Sequence, residues 1–230
     1  MQTIGMIGGL SWESTANYYR DINQAIKSRL GGLHSARIVL NSVDFAEIEV
    51  LQHEGRWEEA GRLLSHSAVS VERGGADFLI LCTNTMHKVS DQIEAAITIP
   101  FLHIADATAA VLQAQDVSKV GLLGTRFTME DTFYRGRLET EYGIAVEIPE
   151  SSDRDIIHRV IYDELCQGVV SDVSRQRFLR IINELAARGV QGVILGCTEI
   201  AMLVSSADTD VPLYDTARIH TEAAVEMALA

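Results

Sequence analysis

Short runs of apolar residues alternate with longer stretches of helical period from one end of the chain to the other. Thr3–Gly9, Ala36–Val43, Asp77–Thr83 and Phe101–Ile104 are each too short and too continuously apolar for an amphipathic helix and are read as buried strands. A second series follows at Lys119–Thr125, Ala145–Pro149, Gly192–Thr198 and Leu213–Asp215. Between them, Ser14–Leu30, Arg56–Arg73, Asp106–Ala114, Glu130–Tyr142, Ser152–Cys166 and Ser174–Arg188 repeat their apolar positions at helical spacing. Strands that are apolar on both faces and joined by helices form parallel sheets covered on both sides, so the expected class is α/β.

The pattern carries an internal echo. Arg73-Gly74-Gly75-Ala76-Asp77-Phe78-Leu79-Ile80-Leu81 leads into Cys82-Thr83, and Arg188-Gly189-Val190-Gln191-Gly192-Val193-Ile194-Leu195-Gly196 leads into Cys197-Thr198. Each is a helix end, a glycine turn, a strand, and small polar residues at the strand's C-terminal edge, where open α/β sheets bind ligands. Two pseudo-symmetric lobes follow, each a parallel sheet flanked by helices, with the active site expected in the cleft between them. The first is placed at 1–101, with the tail 207–230 returning to it, and the second at 103–206.

Composition narrows the chemistry. Apolar residues are 47% and charged residues 22% of the 230, an ordinary folded composition rather than a disordered one. The charge of −13 repels a nucleic-acid backbone, so nucleic acid is excluded as a partner. It also opposes an acidic ligand, which would need local donors. The apolar start at Met1–Gly9 is too short for a membrane span and lacks the basic lead of a signal peptide, so the expected compartment is the cytoplasm. The three cysteines, Cys82, Cys166 and Cys197, contain no CxxC pair, which argues against a disulfide framework or a thiolate metal site.

Gly5-Met6-Ile7-Gly8-Gly9 lacks the spacing of a dinucleotide or phosphate loop. It reads as a tight strand-to-helix turn, after which Leu10 and Ser11 can offer backbone N–H groups to a carboxylate. Trp12, beside the turn, is either a packing residue or part of a pocket wall. Cysteines on apolar strands are usually core residues. Here, however, two equivalent strand tips each pair a cysteine with hydroxyl and amide residues: Cys82-Thr83-Asn84-Thr85 and Cys197-Thr198-Glu199.

With these residues in view, the sequence resembles the PLP-independent aspartate/glutamate racemases, most nearly the bacterial L-aspartate/glutamate-specific group. TIGMIGG, CTNT, LLGT at Leu122–Thr125 and GCTE at Gly196–Glu199 carry the resemblance, in order and over essentially the whole chain. It implies a homodimer that uses no metal or coenzyme and racemises a small amino acid, aspartate or glutamate first. One thiolate removes the α-proton and a thiol on the opposite face returns one. It implies Cys197 as one acid/base, Thr83 or alternatively Cys82 as the other, and Leu10, Ser11, Gln52, Asn84, Thr85 and Thr198 as substrate contacts.

Two departures matter. In two-cysteine members the first cysteine immediately precedes Asn-Thr, whereas here Thr83 does and Cys82 lies one residue earlier. Counting from Gly75 sets Thr83 against Cys197, and counting from Gly74 sets Cys82 there; a regular strand cannot aim both inward. With Thr83 the expected catalysis is lopsided, slow, or selective for one enantiomer. Secondly, Ile48 and Cys166 occupy the places of the family's arginine and lysine. Gln52, His87, Lys88 or Arg126 must then hold a side-chain carboxylate, or the pocket takes neutral amino acids. His87 also reads as a packing or capping residue or, one helical turn beyond Thr83, as a group that tunes a thiolate. Cys166 reads as a helix-end residue, and Glu199 as a helix-start charge or a contact to the substrate amine. The alternatives are a hydantoin racemase, maleate isomerase or arylmalonate decarboxylase-like activity, and a non-catalytic amino-acid-binding protein.

Overall fold

The first apolar run becomes β1, Thr3–Gly8, and its burial from Ile4 onward follows from its place at the centre of a sheet. The computed structural model describes all residues, Met1–Ala230, and the chain groups into two units, Met1–Ile104 with His220–Ala230 and Ala105–Ile219. In the first unit β1 leads to α1 (Trp12–Leu30), β2 (Arg37–Ser42), α2 (Phe45–His53), α3 (Trp57–Arg73) and β3 (Phe78–Leu81). A 3-10 turn at Thr85–Val89 and α4 (Ser90–Ala96) follow. The sheet runs β2-β1-β3, parallel throughout. Helix α3 buries Ala60, Leu64, Ala68 and Val71, a stripe at i, i+4, i+8 and i+11, into a core shared with Ile7, Leu79 and Leu81. Each large apolar side chain so buried contributes on the order of 1.5–3 kcal/mol.

The second unit contains α5 (from Ile104, in the first unit, to Ala114), β4 (Lys119–Gly124), α6 (Arg126–Glu130), α7 (Thr132–Tyr142), β5 (Ala145–Glu147) and α8 (Ser151–Asp163). After a 3-10 turn at Leu165–Gln167 come α9 (Asp172–Ala187), β6 (Val193–Gly196), α10 (Ile200–Leu203), β7 (Leu213–Asp215) and the start of α11 (Thr216–Leu229). Its sheet, β5-β4-β6-β7, is also parallel. Ile157, Ile161, Phe178, Ile182 and Leu185 pack from α8 and α9 onto Val193 and Leu195 of β6. No helix is long and apolar enough to cross a membrane.

Several expectations change. Phe101–Ile104 forms a single bridge, Leu79 to Phe101, rather than a strand, because the backbone turns into α5 at Ile104. The helix expected at Glu130–Tyr142 breaks at Asp131, whose extended backbone separates α6 from α7. Cys166 leaves α8 and sits in the 3-10 turn closed by left-handed Gly168. The tail groups with the first unit only from His220, later than 207, since β7 pairs with β6 in the second sheet.

Candidate active site

At the end of β3 the chain turns sharply. The Cys82 N–H donates to Ile7 O at 2.9 Å and the Thr83 N–H to Leu81 O at 2.8 Å. Cys82 is fully buried, and burial pushes its thiol well above the ordinary range. Thr83 is partly exposed, while Asn84 and Thr85 are buried as the chain enters the 3-10 turn.

Matched contacts within each unit fix which tip residues are equivalent. The Asp77 N–H donates to Thr3 O and the Gln191 N–H to Lys119 O, both at 2.8 Å. Their side chains repeat the match: Asp77 Oδ2 accepts from Thr3 N at 2.6 Å, and Gln191 Oε1 from Lys119 N at 3.0 Å. Leu79 N–H donates to Pro100 O and Val193 N–H to Pro212 O, again both at 2.8 Å. Leu79 pairs with Gly5 and Val193 with Gly121, each glycine third in its strand. Leu79 therefore corresponds to Val193, Leu81 to Leu195, and Thr83 to Cys197. Cys82 corresponds to Gly196.

The glycine turn after β1 is built for close approach. Gly9 has φ +83, and a Cβ there would lie 2.1 Å from Val43 O. Its N–H donates to Thr15 Oγ1 at 2.9 Å, and the Thr15 hydroxyl donates to Ser11 O at 3.0 Å. Ser11, partly exposed, caps α1 by accepting from Ser14 N at 3.3 Å, and it does so at φ 83. That conformation costs a non-glycine residue about 1–3 kcal/mol and is kept where surrounding structure imposes it, often at functional sites. Leu10 beside it is buried, whereas Trp12 is exposed and lies outside the core. Gln52, on α2, is buried, and its Nε2–H contacts Met86 Sδ at 2.9 Å in the turn following Thr85. The structure thus brings Gln52 to the β3 tip. Its Oε1 is buried without a hydrogen-bond partner. Such an orphan costs about 1–3 kcal/mol, which a ligand N–H would recover.

At the end of β6, Cys197 and Thr198 are partly exposed and Glu199 is buried. The Cys197 Sγ–H donates to Glu199 Oε2 at 2.9 Å, and the Thr198 hydroxyl donates to the same oxygen at 2.6 Å. Burial first, and then the Glu199 charge, raise the Cys197 thiol well above its ordinary range, so it rests protonated. Cys166 packs on the same apolar cluster and adds to that rise. Sequence reasoning assigned Glu199 to the helix start or the substrate amine and missed its grip on the thiol. A carboxylate two residues beyond a strand-tip cysteine was the available signal.

Of the candidates for a cationic grip, His87 is buried and holds its ring far below the ordinary histidine range, mainly through desolvation. It stays neutral and cannot serve. The Lys88 ammonium lies 4.0 Å from the Trp57 ring centre, and Arg126 pairs with Asp155 at 2.5 Å.

The Asp/Glu/hydantoin racemase family model matches residues 7–224. The broad specificity amino-acid racemase RacX of Bacillus subtilis (strain 168) is 20% identical over 180 residues, 75% of this chain and 74% of its own. The crystal structure of a candidate Asp/Glu racemase from Yersinia pestis is 55% identical, with a TM-score of 0.95 and 100% of both chains covered. PH1733, an aspartate racemase homologue from Pyrococcus horikoshii OT3, is 32% identical, with a TM-score of 0.88 and 100% of both covered.

Proposed function

The chain belongs to the Asp/Glu/hydantoin racemase family, and on that premise we propose that it racemises a free amino acid, aspartate or glutamate first, by proton transfer without a coenzyme. Cys197 and Thr83 are the two acid/base groups in this reading. What supports it most is the register match, which sets a partly exposed proton-carrying side chain at the same step beyond each unit's strand. Leu10, Ser11, Gln52, Asn84, Thr85 and Thr198 are the proposed substrate contacts. The orphan Gln52 oxygen suits the ammonium group, and the Ser11 end of α1 suits the α-carboxylate. The same reading takes the protein as a cytoplasmic homodimer.

The proton bookkeeping starts from a resting thiol. Cys197 becomes a base when its proton passes to Glu199 Oε2, already in hydrogen-bond contact. The thiolate then takes the α-proton, and the electron pair left on the α-carbon spreads into the substrate carboxylate. A proton from the Thr83 hydroxyl on the opposite face gives the mirror-image product, and solvent restores both groups. Run in reverse, Cys197 donates and Thr83 must accept, a task for which a hydroxyl is poorly suited.

Glu199→Gln separates the two effects of that carboxylate. Without its charge the Cys197 thiolate is easier to form. A neighbouring charge is worth about 1–3 pKa units, so iodoacetamide should label Cys197 at neutral pH about tenfold faster or more. Racemisation should fall, because the proton acceptor is gone. Peptide mass spectrometry at Cys197 and chiral chromatography read the two arms. Slower labelling, or undiminished racemisation, contradicts the assignment.

The function itself is tested by chiral chromatography after incubation with L-aspartate, L-glutamate and L-alanine separately. The D-enantiomer of at least one acidic substrate should accumulate, and Cys82→Ala should leave its rate within about twofold, as expected of a residue outside the chemistry. No D-product from any of the three removes the racemase reading and favours an amino-acid-binding protein.

A further inference from the structure

Three buried histidines gather in the first unit where the chain leaves it, at Ile104, and returns to it, at His220. The His87 ring centre lies 4.5 Å from that of His103, 5.9 Å from that of His220 and 5.5 Å from that of Phe101. Their hydrogen bonds are specific. Ile104 N–H donates to His87 Nε2 at 3.2 Å, so that nitrogen carries no proton. His87 Nδ1 must then bear it, and Nδ1–H donates to the carbonyl of Thr83 at 2.8 Å. His220 lies 2.9 Å through Nε2 from Leu102 O and 3.1 Å through Nδ1 from the Tyr18 hydroxyl, which fixes its tautomer in the opposite sense. No group of three histidine, cysteine or acidic side chains is placed to hold a metal ion.

The bond to Thr83 has no counterpart in the second unit. There the carbonyl of Cys197 accepts a backbone N–H, from Ile200 at 3.1 Å, as the chain enters α10. At the β3 tip a side chain provides the anchor instead, four residues on, and a backbone bond from His87 N–H to Asn84 O at 3.1 Å completes the clasp. A threonine hydroxyl works at the edge of its acid/base range, so its contribution depends steeply on aim. Displacement by about 1 Å can cost a hundredfold.

We propose that His87 is the positioning residue for Thr83, its neutral ring clasping the Thr83 carbonyl so that the hydroxyl is held on the α-carbon. This rests on Thr83 being one of the two acid/base groups. His87 touches neither substrate nor proton. Its influence falls on the inversion step, which needs Thr83, and not on proton exchange at Cys197.

The test compares the full-length wild type, His87→Asn, His87→Gln, His87→Phe and Thr83→Ala. Each is incubated in D2O with each enantiomer of aspartate. NMR follows deuterium wash-in at the α-carbon, and chiral chromatography follows inversion. The Asn side chain keeps an N–H near the Nδ1 position, whereas Gln places its amide near Nε2 and Phe has neither. His87→Gln and His87→Phe should lower inversion about a hundredfold. Wash-in with retention, for the enantiomer that offers its proton to Cys197, should stay within about twofold. His87→Asn should recover most of the inversion, and His87→Phe should add no further loss to Thr83→Ala. The Asn and Gln pair carries the comparison if the Phe variant does not fold. Parallel loss of inversion and wash-in, or equal behaviour of Asn and Gln, overturns the role of His87 in an active enzyme. A wild type that neither inverts nor exchanges overturns the racemase reading together with it.

Discussion

Cys197→Ala is expected to abolish α-proton exchange and inversion together, for both enantiomers. The residue is the one thiol at a partly exposed strand tip, and its Sγ–H already donates to a buried carboxylate. Removing a positioned acid/base group costs about 10²–10⁴-fold. Here the loss should lie at or beyond the upper end, because the remaining group is a hydroxyl. Cys197→Ser makes the comparison sharper: it keeps the size and the hydrogen bond to Glu199 but replaces a thiol of pKa about 8.5 with a far weaker acid. The serine variant should be nearly as inactive as the alanine variant while melting close to wild type. Substantial activity in Cys197→Ser would place the chemistry elsewhere.

Thr83→Cys carries the second large effect, in the opposite direction. It substitutes a side chain that can both give and take a proton near neutral pH, so inversion should accelerate by about 10²–10⁴-fold. Thermodynamics dictates how that gain is distributed. The two enantiomers of an amino acid are equally stable, so kcat/KM must be the same in both directions for any variant. A weak Thr83 therefore cannot make the wild type selective in kcat/KM. It makes the shared value low, and it lets kcat and KM differ between enantiomers in compensating fashion. Thr83→Cys should raise kcat/KM equally for L and D while narrowing any gap in kcat. Initial rates from both enantiomers measure this directly. An unchanged or lower kcat/KM contradicts the assignment of Thr83. The early expectation of a preference for one enantiomer is refined accordingly: solvent exchange can be one-sided, and kcat/KM cannot.

The sheets were legible because parallel strands covered on both faces are written as unbroken apolar runs, as in Phe78–Leu81 and Val193–Gly196. What escaped lacked such a pattern. Helix α2 buries only Ile48 and Gln52, too few to mark an apolar stripe. Phe101–Ile104 has a strand's composition, but only one bridge forms before α5 begins. The tip residues were visible as types, yet the choice between Cys82 and Thr83 turned on one residue of register. Counting from the paired arginines Arg73 and Arg188 aligns Cys82 with Cys197. The folded chain instead matches Gly75 with Gly189, both left-handed, at φ +91 and +83. The contacts of Asp77, Gln191, Pro100 and Pro212 carry that match to the tips. Those contacts join residues far apart in sequence, and no local pattern announces them. The placing of His87 one helical turn beyond Thr83 was legible, but only as a position from which a histidine tunes a thiolate; that its ring holds the Thr83 carbonyl shows only once Ile104 N–H fixes its tautomer.

The central claim is that two unlike groups, Cys197 and Thr83, divide the two proton transfers of each inversion between them. The most direct measurement is α-proton exchange by Thr83→Ala in D2O, followed separately for L- and D-aspartate by NMR, with chiral analysis of the recovered substrate. Exchange confined to one enantiomer, with retained configuration and no inversion, is the predicted result. Inversion at the wild-type rate, or exchange lost equally from both enantiomers, would contradict it.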